Sequence, residues 1–421
     1  IGLVNKKSLT LGENDGDIEI DKIKIIGTTL GLQQDGKFNY YDGYIEGDIA
    51  LNGSTDSVPK GYFLYNEHNN IKDCQRVYLI GNPQNAVAVI EDGGTQYFFS
   101  LQDAIDTASV TGSEIFIARD FEATYPITIN EDSNILINMS SYNITTGNNI
   151  INNGTLKIYD TSESIGSITS AKSIENNGTL TIDKVSISTN TSNSAIVNKG
   201  DLSLIGATIT AKAGYAVDTS GTFSMDKDST LTNNTQALHN NQTEVLILNG
   251  GTLSGINNSK TIEINDVIIN NTNNQPGIIM DTANAKTTMT NCSITTGNIG
   301  VRFNSDNQTF IMNGGTITST SHGFYSERVN NHLIVNSGTV VSDDQGIVMS
   351  NNNAKIDIKD IDLTAKSYGI NLYSYGSVVN IEGGTITSTG NIGYYDSYNN
   401  ITGKETNITG GTIQGYYNGV Y

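Results

Sequence analysis

Residues 173–187 read SIENNGTLTIDKVSI, and this stretch is one turn of a repeat. Ile174 is an apolar anchor, followed by an Asn-rich bend ending at Gly178. Leu180 and Ile182 then alternate with Thr, Asp183-Lys184 makes a corner, and Val185-Ser186-Ile187 alternates again. Working outward, the anchor recurs at Ile150, Ile174, Ile196, Val217, Leu238, Ile256, Ile278, Val301, Phe324, Ile347, Ile370, Tyr394 and Val420. The steps are 24, 22, 21, 21, 18, 22, 23, 23, 23, 23, 24 and 26 residues. A period in the twenties is the signature of a solenoid. From Gly277 on, a Gly precedes each anchor, and GGTL or GGTI opens the closing half of turns at Gly250, Gly314, Gly383 and Gly410.

The pattern within the period selects the solenoid. Apolar residues alternate with Thr, Ser, Asn and Asp over three to five residues, the rhythm of a strand with one buried face. Leucine-rich repeats share the length but need a Leu/Asn frame that is absent, and helical repeats need longer units. Short Thr/Ile/Val strands with Gly/Asn/Ser corners predict an all-β parallel β-helix. Twelve steps from Ile150 to Val420 then extend roughly 58 Å, at about 4.8 Å per turn.

Composition agrees. Of 421 residues, 16% are charged, against about 25% in ordinary domains. Asn, Thr, Ser and Gly fill the gap and suit stacked sheets and tight corners. The net charge of −20 opposes nucleic acid and anionic membrane surfaces as partners. No apolar run is long enough to span a bilayer, so no direct membrane insertion is expected. Cys74 and Cys292 lack metal-ligand spacing and read as unpaired structural thiols. The chain opens mid-repeat at Ile1, which reads as a fragment of a longer protein, so the lack of a visible signal peptide carries little meaning.

Four segments follow. Residues 1–53 read as closing turns of a preceding block, since Leu3 to Leu11 parallels Ile196 to Leu204. Residues 54–98 break the pattern and read as a junction with short strands. Residues 99–149 hold a capping helix and entry turns. Residues 150–421 are the main solenoid. The helix is expected over 100–109, with Ser100 and Asp103 as a capping-box-like start and Leu101, Ala104, Ile105 and Ala108 as an apolar stripe. Its expected task is to cover the open end of the solenoid core.

The run from Gly94 through Phe98-Phe99-Ser100 to Asp106, followed by Ile115-Phe116-Ile117 and Arg119-Asp120, resembles the entry into pectate-lyase-like β-helix blocks of large bacterial surface proteins, common in Gram-positive gut bacteria. Residues 38–47, with Pro59-Lys60-Gly61-Tyr62, resemble the exit of such a block. The resemblance covers nearly the whole chain. It implies a right-handed, pectin-lyase-like β-helix with a short capping helix ahead of the main solenoid. It also implies a secreted, wall-attached tandem-repeat protein acting as adhesin or stalk.

Related folds cleave acidic polysaccharides, so a site must be sought. Asp343-Asp344 is the acidic pair inside a turn, but Ser321-His322-Gly323 precedes it and no Arg-x-Lys phrase follows. The pair and His322 read as solvated corners. Arg302 follows anchor Val301 and points outward, and its matches on neighbouring turns, Ile279 and Tyr325, are not carboxylates. His68, His239, His322 and His332 share no metal spacing. The sequence does not exclude Ser-His-Asp chemistry, but with many serines a chance combination carries no information. The expectation is a non-enzymatic segment, with no catalytic residue, metal or cofactor. A lyase or glycoside hydrolase with an unrecognised carboxylate site is the alternative.

Tyrosine is the uneven feature: 21 are present, crowded toward the end of the chain. Residues after the anchors form one outward column: Arg302, Tyr325, Val348, Asn371, Tyr395 and Tyr421. Tyr325, Tyr373, Tyr395 and Tyr398 are the expected binding residues, for a host or bacterial surface glycan or protein. Aromatic stacking that merely stiffens the sheet is the bland alternative.

Overall fold

The structure is a computed structural model and describes residues 1–14, 18–59, 62–69, 74–81, 85–396 and 403–421. The chain divides into two compact units, Ile1–Ala86 and Val87–Tyr421. The fold class is all-β, with parallel β-solenoid turns of the right-handed type, about 16 in all, and almost no helix.

In the first unit successive turns pair in parallel ladders. Leu3 lies opposite Leu32, Leu9 opposite Phe38, Leu11 opposite Tyr40 and Ile25 opposite Ile45, all in parallel ladders. Strand Tyr44–Gly47 then pairs antiparallel with Cys74–Gly81, which pairs antiparallel with Tyr62–Asn69. The buried Tyr40 hydroxyl lies 2.9 Å from the carbonyls of both Gly43 and Val77, which share its one proton. Arg76 bonds Glu46 at 2.7 Å and lies 4.3 Å from the centre of the Tyr44 ring.

In the second unit a typical turn carries three short strands, as in Ile174–Asn176, Thr179–Asp183 and Ser186–Thr189, and in two turns the second and third runs join into one strand, Thr309–Ser319 and His332–Ser342. The first of each set stacks into one sheet, 14 strands among the described residues, from Ile127–Ile129 to Asn418–Val420. Every anchor read from the sequence lies in this sheet, and each faces the next in register, from Ile150↔Ile174 to Tyr394↔Val420. All are buried except Val420, on the last turn, at 53% exposure. The Gly before the anchor has a steric cause. A Cβ on Gly323 would lie 2.5 Å from Val340 Cγ1 and 2.7 Å from the Gly346 carbonyl oxygen.

Polar residues inside the wall are paired along the axis. The side-chain amide of Asn152 donates to Asn176, and that of Asn176 to Asn198, each at 2.7 Å. All three are fully buried. Each amide also donates to a carbonyl of the following turn, those of Thr179, Asp201 and Thr222. The ladder satisfies the amide nitrogens, which would otherwise destabilise the core, and leaves Asn152 Oδ1, at the first of these rungs, without a partner.

The helix is Leu101–Thr111, within the second unit. Leu101, Ala104, Ile105 and Ala108 are its buried residues and join the solenoid core. It ends at Gly112, whose φ of 72° lets its N–H reach the Ala108 carbonyl. The expected capping box is not formed. Ser100 occupies the N-cap with extended backbone, but its side chain makes no capping hydrogen bond. The helix also runs two residues past its expected end at residue 109, to Thr111, after which the backbone turns left-handed at Gly112.

Candidate functional site

Side chains alternate across a strand, so the residue after each inward anchor points outward. The register confirms one column: Arg302↔Tyr325, Tyr325↔Val348, Val348↔Asn371 and Asn371↔Tyr395. Residues two before the anchor stand beside it. Together they build an aromatic and polar face on the last turns.

At one end His322 stacks on Tyr325, with ring centres 5.1 Å apart and planes at 18°. Arg302 lies 6.0 Å from the centre of the Tyr325 ring. Burial and the Glu327 carboxylate push the Tyr325 hydroxyl up to about 12, against the opposing pull of Arg302. His322 Nδ1 is buried without a hydrogen-bond partner, 3.6 Å from an oxygen of Asp344. Burial lowers the His322 pKa, and Asp344 only partly offsets this. At the other end Tyr395 meets Tyr368 at 5.0 Å, Tyr421 at 5.4 Å and, edge-on, Tyr373 at 6.4 Å. Tyr373 is 42% exposed.

The predicted binding residues are therefore not one constellation. Tyr373 and Tyr395 touch. Tyr325 belongs to a separate stack, with Val348 and Asn371 between it and Tyr395 in the ladder. Tyr398 lies outside the described residues. The outward column is not open to water throughout: Val348 points outward as read, but it is only 5% exposed, and Asn371 only 2%. Pointing out of a ladder does not place a small side chain in water when larger neighbours flank it. Asn371 also bonds Gln345 at 2.5 Å.

The two halves of the acidic pair are split: Asp344 lies beside His322, and Asp343 bonds Lys366 at 2.6 Å, with both side chains well exposed. His332 bonds Asp357 at 2.6 Å, and Asp357 also takes Lys355 and Asn380. Among the described residues no group of three or more His, Cys, Asp or Glu could hold a metal ion. No helix among them is long and apolar enough to cross a membrane. A pocket beneath the helix, bounded by Leu101, Ile129, Ile144 and Leu156 among others, has only aliphatic lining and offers no polar anchor.

One arrangement was missed. On the same outward column, earlier in the solenoid, Asp218 lies opposite His239 and His239 opposite Asn257. His239 Nδ1 is 2.8 Å from Asp218 Oδ1, and its Nε2 is 3.2 Å from Ser259 Oγ. Tyr215 stacks on the imidazole at 4.9 Å, and Asn257 bonds the Tyr215 hydroxyl at 3.1 Å. The signal was present in the anchor frame. Asp218 and His239 each follow an anchor by one residue, and Ser259 follows Ile256 by three.

Comparison with known proteins gives no match: no family model, no curated protein and no solved structure matches the chain.

Proposed function

We propose that the chain is an extracellular segment of a bacterial surface protein, cell-surface or wall-attached, built as a pectate-lyase-like β-helix. It works by presenting a binding face and not by cleaving polysaccharide. The observation that carries this reading is the cluster of Tyr368, Tyr373, Tyr395 and Tyr421 on successive turns, with Tyr373 and Tyr421 exposed. Aromatic rings with polar tips suit stacking on sugar rings or docking a protein. A flat site of this kind binds weakly, and multiple copies compensate through avidity. In this reading the helix Leu101–Thr111 shields the open end of the core with its apolar stripe.

A rigid spacer is the second reading. It is favoured by the closure of the column over Val348 and Asn371, and by the tyrosines packing on one another. The test is binding to a glycan array and to epithelial cells by a multivalent display of the chain, beside Tyr373→Ser/Tyr395→Ser with unchanged thermal melting. The adhesin reading expects the parent to bind and the double variant to lose most of that signal. Equal binding removes this face as the site. No binding by the parent leaves the spacer.

A further inference from the structure

The array of Asp218, His239 and Ser259 lies on three consecutive turns, apart from the tyrosine face. We propose that it is an acyl-transfer site that hydrolyses small carboxylic esters, with Ser259 as nucleophile and His239 as general base. This goes beyond the binding reading and does not depend on it.

The geometry meets the requirements of such a site in order. Nδ1 of His239 faces a carboxylate at 2.8 Å and Nε2 faces a hydroxyl at 3.2 Å. With Nδ1–H donated to Asp218, Nε2 is the acceptor and can take the Ser259 proton. The imidazole is held from three sides: by Asp218, by Ser259 and by the stacked Tyr215 ring at 24°. Parallel ladders fix the three turns, so little reorganisation is needed.

Asn257 helps to hold the array in place. It is only 9% exposed and neighbours His239 in the ladder. Its side-chain amide nitrogen donates to the Tyr215 hydroxyl at 3.1 Å, which fixes the ring stacked on the imidazole.

The reaction balances with an ester and water alone. Ser259 Oγ attacks the ester carbonyl carbon while its proton passes to His239 Nε2, and the carbonyl π pair moves onto oxygen. Collapse breaks the bond to the alkoxy group, which leaves with the proton from His239. Water then adds to the acyl-serine, giving its proton to His239. The carboxylic acid departs and the proton returns to Ser259 Oγ. Asp218 contacts neither substrate nor reacting atoms and acts as a positioning residue.

The test uses the full chain, a short-chain dialkyl fluorophosphate as covalent probe and p-nitrophenyl acetate as substrate. The proposal expects one phosphoryl adduct, mapped to Ser259 and absent in Ser259→Ala. His239→Gln should slow both labelling and ester hydrolysis by on the order of 10²-fold or more. Asp218→Asn should lose labelling at unchanged melting temperature, while Asp218→Glu retains it. No adduct on Ser259 at saturating probe in the natively melting wild type overturns the proposal without any variant. Labelling at the wild-type rate in His239→Gln overturns it as well. Wild-type labelling in Asp218→Asn removes Asp218 from the site.

Discussion

Ile347 and Val348 share one strand, with their side chains on opposite faces, and both are buried, at 0% and 5% exposure. A charge at Ile347 would lie in the closed core with no partner. Ile347→Asp is therefore expected to cost about 4 kcal/mol or more, the range reserved for such lesions. Val348→Asp places a carboxylate at a shielded outer surface, where neighbouring side chains can yield, and should cost about 1–3 kcal/mol. Urea unfolding of the two variants measures both. A neutral Val348→Asp would mean that the column is open to water at this turn. Asp160 gives a second test by titration. Burial alone would raise its pKa, but the N–H groups of Ser162, Gly166 and Ser141, at 2.7–2.9 Å, outweigh it and hold the carboxyl below the usual range. A group with a depressed folded pKa stabilises fully above its unfolded value and loses this contribution as pH falls through the folded one. Asp160→Asn should therefore be most destabilising near neutral pH, with the difference from wild type shrinking on acidification. A difference independent of pH would contradict the assignment.

At the scale of the element, the corner between the second and third strands is where backbone chemistry decides. Gly314 and Gly315 both have φ of 89°, which disfavours any side chain. They differ in surroundings. A Cβ on Gly315 would overlap the backbone of Cys292, whereas on Gly314 it would first meet the Asn291 side-chain oxygen at 2.8 Å, which can turn away. Both Ala variants should lose about 1–2 kcal/mol to backbone strain, and Gly315→Ala should lose clearly more in thermal melting. Equal losses would mean that the clash is relieved by a shift of the whole corner. Much of the element pattern was legible, because anchors and alternating runs follow from burial on one face. The fusion of two runs into the continuous strands Thr309–Ser319 and His332–Ser342 was not. There a Gly-Gly or Ser-Gly corner bends the chain without breaking the strand. The helix was legible from its stripe, but its Ser100 cap was not, because a suitable residue at the right place need not use its hydroxyl. The tyrosine contacts at Tyr373 and Tyr395 followed from the anchor frame. The shielding of Val348 did not, since it depends on neighbours one turn away. The Asp218–His239–Ser259 array needed the register of three turns at once.

For the whole second unit, each turn contacts its neighbours, so stability and geometry propagate along one axis. Both functional proposals rest on the same claim: the residues after the anchors form one straight outward column. Glu175 and Ile279 are five ladder steps apart, and Glu175 and Tyr395 ten, by the paired register. At about 4.8 Å per step these separations are about 24 Å and about 48 Å. Spin labels on cysteines replacing these residues report the distances directly. The native thiols are buried, and burial pushes that of Cys292 up to about 11, which slows its labelling. The measurement is the pair of electron–electron distance distributions for Glu175→Cys/Ile279→Cys and Glu175→Cys/Tyr395→Cys. The solenoid predicts two narrow distributions, the second centred at twice the first within the reach of the labels. Broad distributions, or a second distance no longer than the first, would contradict it.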